Sequence, residues 1–366
     1  MTILTIIATL LLVVLTLLPL SKNPHWLVRG LDFPRLQIAA FAMILITLQF
    51  FLVDTTETKY TLIGVASACF MWQVWWILPY TRLWPVEVKS SVDTNIDRQL
   101  SILTTNVLTR NREAEKLLKL VRQHRPDVLV TLESDQWWED QLNTLEGEMP
   151  YTIKCPQDNL YGMHVYSRMP LEEKSIDYIV QDDIPSMHAI LRLRNGETVR
   201  VHFLHPAPPS PTENPKSSER DAELVTVARN IAKSDHGPII LTGDLNDVAW
   251  SATTRLFRKL SGLLDPRVGR GMFNTFHADY PLLRWPLDHL FHSEHFTVKS
   301  ILRLPHIGSD HFALLTRLTY SPLIGTDQRG LEGDPEDQDW ADEIVDDKDI
   351  GRIQSPQLDT KRKSNV

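Results

Sequence analysis

Pro238 to Asp247 reads PIILTGDLND. Its apolar half has the length and branched side chains of a strand buried on both faces. Gly243 then permits a tight backbone bend, and Asp244 and Asn246 project from the turn. A helix over Ser217–Lys233 is predicted before this run and another over Ala249–Leu260 after it. The run is therefore one strand of a domain that alternates strand and helix.

Outward from it, short β-type runs cover Leu100–Asn106, Val128–Glu133, Met163–Ser167, Met187–Leu193, Thr198–His205, Pro238–Thr242, Asp288–His292, Val298–Leu304 and Phe312–Leu318. A further helix fits Arg112–His124, where Leu117, Leu118, Leu120 and Val121 share one face as core. Pro206–Ser218 holds five prolines and must be a loop. Polar residues recur at the carboxyl ends of the predicted strands: Asn106, Glu133, His205, Asp244 with Asn246, Asp288 with His289, and Asp310 with His311. One strand-end Asp or His is usually a turn residue. Six such ends carrying carboxylate, amide or imidazole are hard to ascribe to folding alone.

The boxes GDLN (Gly243–Asn246), PLDHLF (Pro286–Phe291) and IGSDH (Ile307–His311) stand in an order and spacing that resembles the endonuclease/exonuclease/phosphatase superfamily. TTNV at Thr104–Val107, TLES at Thr131–Ser134 and GMHVYSRMP at Gly162–Pro170 resemble its amino-terminal boxes, so the resemblance spans about 96–320. It implies an α/β (α+β) fold, a deoxyribonuclease-like four-layer arrangement in which a two-sheet β-sandwich is flanked by helices with the site at one rim. By the same resemblance, Glu133 is the principal carboxylate for Mg²⁺ or Mn²⁺, with Asn106 beside it and Asp310 facing the metal; oxygen ligands suit such hard cations. Asp244 is the base for the attacking water and Asn246 its orienting amide. His311 bonds a nonbridging phosphate oxygen, Asp288 fixes the tautomer of His311, and His205 contacts the phosphate or protonates the leaving oxygen. A phosphoester repels hydroxide, so a cation, a carboxylate base and an imidazole are the parts its hydrolysis needs.

Two positions depart from the pattern. Leu108 stands where several nucleases of the family carry an acidic ligand, so single-metal chemistry centred on Glu133 is expected. His164 replaces an aliphatic residue and reads as a strand histidine, as do His202 and His289. The thirteen histidines contain no HExxH-like pair, which argues against a zinc hydrolase. A noncatalytic binding module that retains the fold is the alternative, and the full set of site residues argues against it.

Three apolar runs open the chain, Thr2–Leu20, Leu36–Val53 and Thr61–Tyr80, each long enough to cross a hydrocarbon core of about 30 Å. The first lacks the basic start and small-residue cleavage site of a signal peptide. Residues 1–84 are thus expected to be a three-span anchor in the lipid bilayer, 85–95 a linker, 96–320 the catalytic domain, and 321–366 a disordered acidic tail. Trp75, Trp76, Tyr80 and Trp84 suit a headgroup layer. Cys69 and Cys155 offer no disulfide framework. Net charge is −8, and residues 91–320 carry 26 basic against 30 acidic side chains, which does not support a nucleic-acid partner. Lys22, Arg29, Arg35, Arg82, Lys89 and Arg98 lie on the domain's side of the spans, against Lys59 opposite. The catalytic domain is therefore expected in the cytoplasm, acting on a phosphoester substrate whose class stays open among nucleic acid, lipid headgroup and small phosphoester.

Overall fold

The computed structural model describes residues 2–234 and 237–347. Three of its helices, α1 (Thr2–Leu17), α3 (Arg35–Leu52) and α4 (Thr56–Ile77), are apolar and lie in segments long enough to cross a membrane. A short helix, α2 (Trp26–Gly30), lies between the first two. The three long helices pack through Leu12, Ile38, Ala42, Leu45, Ala66 and Cys69. They also exchange buried polar contacts: Gln49 donates to Thr9 at 2.7 Å, Gln73 donates to Thr16 at 3.2 Å, and Arg35 donates to Gln73 at 3.2 Å. Such bonds hold helices together where the surroundings are as apolar as the side chains.

Among the described residues, eleven strands form two mixed sheets. The first runs β10-β11-β1-β2-β4-β3, from Phe296–Arg303, Leu314–Tyr320, Gln99–Asn106, Val128–Leu132, Met163–Ser167 and Tyr151–Cys155. The second runs β5-β6-β7-β8-β9, from Leu171–Asp177, Ser186–Arg192, Thr198–Leu204, Ile239–Asp244 and Asp288–His292. Their inner faces share one core that includes Ile102, Val130, Val165, Phe203, Ile240 and Leu290. Helices α5 (Ala114–His124) and α6 (Gln136–Leu142) cover the first sheet, and α7 (Ser218–Lys233) and α8 (Ala252–Ser261) the second. This is the helix-flanked sandwich expected from the motifs.

The middle of the sandwich sets the site. Thr104 of β1 and Thr242 of β8 meet hydroxyl to hydroxyl at 2.7 Å across the two sheets. Alternation then turns Asn106 and Asp244, each two residues further on, toward the same gap. Gly243 lies within β8, and the bend falls later than expected, at Asn246, whose φ is 51°. What Gly243 supplies is close approach, because a Cβ there would stand 1.8 Å from the Leu204 carbonyl oxygen of β7.

Strands β3 and β5 were not expected, and both are sheet edges. β5, LEEKSID, carries four charges and does not read as a strand, yet such charges protect an edge from pairing with another chain. Two expected positions also change. Asp288 begins β9, and Asp310 and His311 precede β11, so these residues sit at amino ends. Because both strands run antiparallel to their site-bearing neighbours, their amino ends arrive at the same rim as the carboxyl ends of β1, β2 and β8.

The expected disorder from residue 321 does not hold for the described part of the tail. Asp334 and Asp337 form a capping box, Pro335 starts the helix, and α10 (Pro335–Val345) follows. Its Trp340 joins the core beneath α7 and α8, and the Lys22 ammonium stands 4.3 Å from the Trp340 ring. Residues 348–366 lie outside the described residues.

Candidate active site

Glu133, immediately after β2, adopts a left-handed φ of 56°. A non-glycine residue pays about 1–2 kcal/mol for this conformation, which commonly marks functional positions. Asn106 donates its amide N–H to Glu133 Oε1 at 2.7 Å, and the same nitrogen lies 3.4 Å from Asp244 Oδ2. The Leu108 backbone N–H can only donate, and it points at Asn106 Oδ1 at 3.0 Å, which fixes the orientation of the amide. Asn106 thus holds Glu133 with its nitrogen, while its oxygen, expected to serve a metal, already accepts a bond.

Asp244, Asp288 and His311 form a chain. Asp288 Oδ2 lies 2.8 Å from His311 Nδ1, and His311 Nε2 lies 3.4 Å from Asp244 Oδ2. All three are buried. Burial opposes the charge on His311, but the carboxylates of Asp288 and Asp244 outweigh it and hold the imidazole pKa up at about 10. Burial pushes Asp244 up to about 7 despite His311 beside it, where a base works well near neutral pH. Ser309 links this chain to β1 by donating to the Asn106 carbonyl at 2.8 Å and accepting from the His311 N–H at 3.1 Å.

His205 is buried 4.0 Å from Asp244, and its Nδ1 has no hydrogen-bond partner. Burial first, and the charge of His311 second, push its pKa down to about 3. It is therefore a neutral imidazole, suited to contact a phosphate oxygen and unsuited to deliver a proton. Asn246 donates its backbone N–H to Asp244 Oδ1 at 2.9 Å and its amide N–H to the Pro206 carbonyl at 3.0 Å. Asp310 lines the same cavity as Glu133, Asp244, Asn246 and His311. The histidines read from the sequence as structural are bonded within the fold. His289 bridges Arg267 and the Asp247 carbonyl, His202 pairs with His188, and His164 bonds Ser134.

Two places suit a divalent cation. Ligand atoms of Asp244, Asp288 and His311 lie within 4.8 Å of one another, but an ion among them would break the imidazole–carboxylate bonds just described. Glu133 fits better: its Oε2 is buried with no partner, and burial pushes its carboxyl up to about 7. An orphaned carboxylate oxygen, on a residue that lines the same cavity as Asp310, is what a hard cation would satisfy.

Several residues of the site are silent in the sequence. Arg220, fully buried on α7, donates to the Asn246 carbonyl at 2.7 Å and is held by Asp221 at 2.8 Å and Asp247 at 3.3 Å. Trp250 donates to the Asp32 carbonyl at 2.8 Å, and Arg29 pairs with Asp221 at 3.6 Å, so the segment between α1 and α3 is fastened to the domain. The Pro206–Ser218 loop docks there too, with Trp26 N–H donating to the Pro215 carbonyl at 3.0 Å and Ser217 N–H to the Pro24 carbonyl at 2.8 Å. Only the proline-rich composition of that loop, next to a strand-end histidine, hinted at this.

The family model of the Endonuclease/Exonuclease/phosphatase family matches residues 103–311, and the chain belongs to that family. Its members are usually hydrolases that act on phosphoester bonds with divalent metals. Among solved structures, the human Nocturnin catalytic domain with bound sulfate anion is similar at a TM-score of 0.51 and 16% identity, covering 61% of this chain and 95% of that one. An endonuclease/exonuclease/phosphatase from Beutenbergia cavernae gives 0.49 and 17%, covering 61% and 72%. D. rerio TDP2 complexed with single strand DNA product gives 0.49 and 17%, covering 60% and 99%. At these identities the likeness concerns the fold alone. A comparison with curated proteins finds no match.

Proposed function

We propose that this chain is a membrane-anchored, divalent-metal-dependent phosphoesterase. The observation that carries the reading is the buried Asp288–His311–Asp244 chain standing beside the unpartnered oxygen of Glu133. Glu133 and Asp310 would hold Mg²⁺ or Mn²⁺, with Asn106 fixing the Glu133 carboxylate. When bound, the cation supplies positive charge that neutralises the phosphate. Asp244, oriented by Asn246, takes a proton from the attacking water. His311, kept protonated by Asp288, donates to a nonbridging phosphate oxygen as charge accumulates there, and His205 donates a second such bond.

The test is a hydrolysis panel with the full chain in detergent micelles: DNA, RNA, phospholipids and a chromogenic diester, each with and without EDTA. Activity lost in EDTA and restored by Mg²⁺ or Mn²⁺ supports the reading, whereas full activity in EDTA or rescue by Zn²⁺ alone contradicts it. Glu133→Gln should raise the half-saturating Mg²⁺ concentration by about 10-fold or more, since the anionic ligand is removed from a hard-cation site. An unchanged metal titration would move the cation elsewhere.

The anchor reading rests on helices of membrane-crossing length and apolarity. With three spans, the excess of Lys and Arg on the domain's side puts the domain in the cytoplasm. A fluorescent protein fused after Tyr320 should glow and alkaline phosphatase fused there should be inactive. The opposite pair of results would place the domain outside.

A further inference from the structure

The cavity above the catalytic residues has a volume of about 490 Å³, within the range of about 300–1,000 Å³ typical of sites that enclose an organic ligand. Its floor is polar, with Glu133, Asp244, Asp310 and His311. Its walls are apolar and come from three sources, one of them Pro208 and Pro209 of the proline-rich loop. Trp26, Phe33 and Pro34 belong to the segment that joins α1 to α3. Phe276, Trp285 and Leu287 belong to the loop before β9. The last two meet where Phe33 and Trp285 pack edge to face with centroids 5.7 Å apart, and the Phe276 ring lies tilted against His311 itself with centroids 4.9 Å apart. Part of the active-site wall is thus built by the stretch between two helices read as membrane spans.

The loop of cavity-lining Leu283 is tied to one of those helices. Gln37, in the first turn of α3, donates its side-chain N–H to the Leu282 carbonyl at 2.6 Å. The loop it holds carries Tyr280, Leu282 and Leu283, with Leu282 84% exposed. A protein facing water does not gain from large apolar side chains at a loop tip. Held through the Leu282 carbonyl to the first turn of a helix read as a span, they would stand where acyl chains begin. Among the described residues no lysine or arginine lines the cavity, so the charge that would hold a polyanionic strand is missing.

We infer that the substrate is a membrane lipid bearing a phosphoester, which enters from the bilayer surface past Leu282 and lays its apolar part against the Phe33–Trp285 wall while its phosphate reaches Asp244 and His311. This rests on the phosphoesterase reading and names its substrate class. In the reaction, water oxygen bonds to phosphorus, Asp244 accepts the water proton, and one P–O ester bond breaks. The departing oxygen takes a proton from solvent to become an alcohol, and Asp244 returns the water proton to solvent.

The experiment uses the full chain reconstituted with Mg²⁺ in phosphatidylcholine–phosphatidylglycerol vesicles. Its probes are those two lipids, their deacylated counterparts glycerophosphocholine and glycerophosphoglycerol, a single-stranded oligonucleotide, and bis(p-nitrophenyl) phosphate. At least one vesicle lipid should be hydrolysed about 100-fold more efficiently than its deacylated form, because contacts far from phosphorus contribute to the transition state. Leu282→Asp should lower lipid turnover about 10-fold and leave bis(p-nitrophenyl) phosphate turnover unchanged. Asp244-dependent hydrolysis of bis(p-nitrophenyl) phosphate with intact lipids, equal rates on the deacylated diesters, preference for the oligonucleotide, or indifference to Leu282→Asp would each overturn the inference and leave the phosphoesterase reading standing. If no probe is hydrolysed in an Asp244-dependent manner, the phosphoesterase reading fails and takes the inference with it.

Discussion

Asp244→Asn should lower turnover by about 10²–10⁴, which corresponds to about 3–5 kcal/mol of barrier. The substitution keeps shape and volume and removes the ability to accept a proton. Asn246 N–H donates to Asp244 Oδ1 at 2.9 Å, and an asparagine oxygen can accept that same bond. The loop should therefore stay in place and KM should change little. Thermal stability separates chemistry from folding. Burial opposes ionisation of Asp244, so a neutral amide in its place should leave Tm unchanged or raise it. Near-normal turnover on the true substrate would remove Asp244 from the base role. A collapse of both Tm and activity would mean that the carboxylate is structural.

The central strands were legible because they are buried on both faces and end in polar residues, a pattern that water and packing impose on any such strand. GDLN, PLDHLF and IGSDH could be read in the same way, since each places a charged or imidazole group directly against an apolar run. Edge strands escaped because protection from pairing replaces their apolar pattern with charge, as in LEEKSID. Helix α10 escaped because its acidic surface dominates its composition, while one tryptophan and a capping box secure it. Arg220 and the wall of Trp26, Phe33 and Trp285 escaped for another reason. Their importance lies in contacts between segments far apart in the chain, and no local period or spacing carries that information. The role of Asn106 changed on the same ground, because only the Leu108 N–H shows which end of its amide faces Glu133.

His311→Ala should cost about 10²–10³ in turnover, since a preorganised donor to the developing phosphate charge is lost. Asp288→Ala should cost less, and the double variant should be no slower than His311→Ala alone. Among the described residues Asp288 Oδ2 bonds only His311 Nδ1, so a carboxylate that acts by orienting and charging that imidazole has no catalytic work once the ring is gone. Stability should follow a parallel pattern. Asp288 has no exposed surface and its Oδ1 has no partner, so removing His311 strands a buried charge at a cost of about 3–5 kcal/mol. Removing Asp288 as well relieves that charge, and the double variant should unfold at a higher temperature than His311→Ala. Additive losses in turnover would show that Asp288 reaches the substrate or a cation directly, as the proximity of Asp244, Asp288 and His311 within 4.8 Å would permit. A metal titration of the Asp288→Ala enzyme then separates the two roles: the half-saturating Mg²⁺ concentration stays put if Asp288 only positions His311, and rises if Asp288 is a ligand.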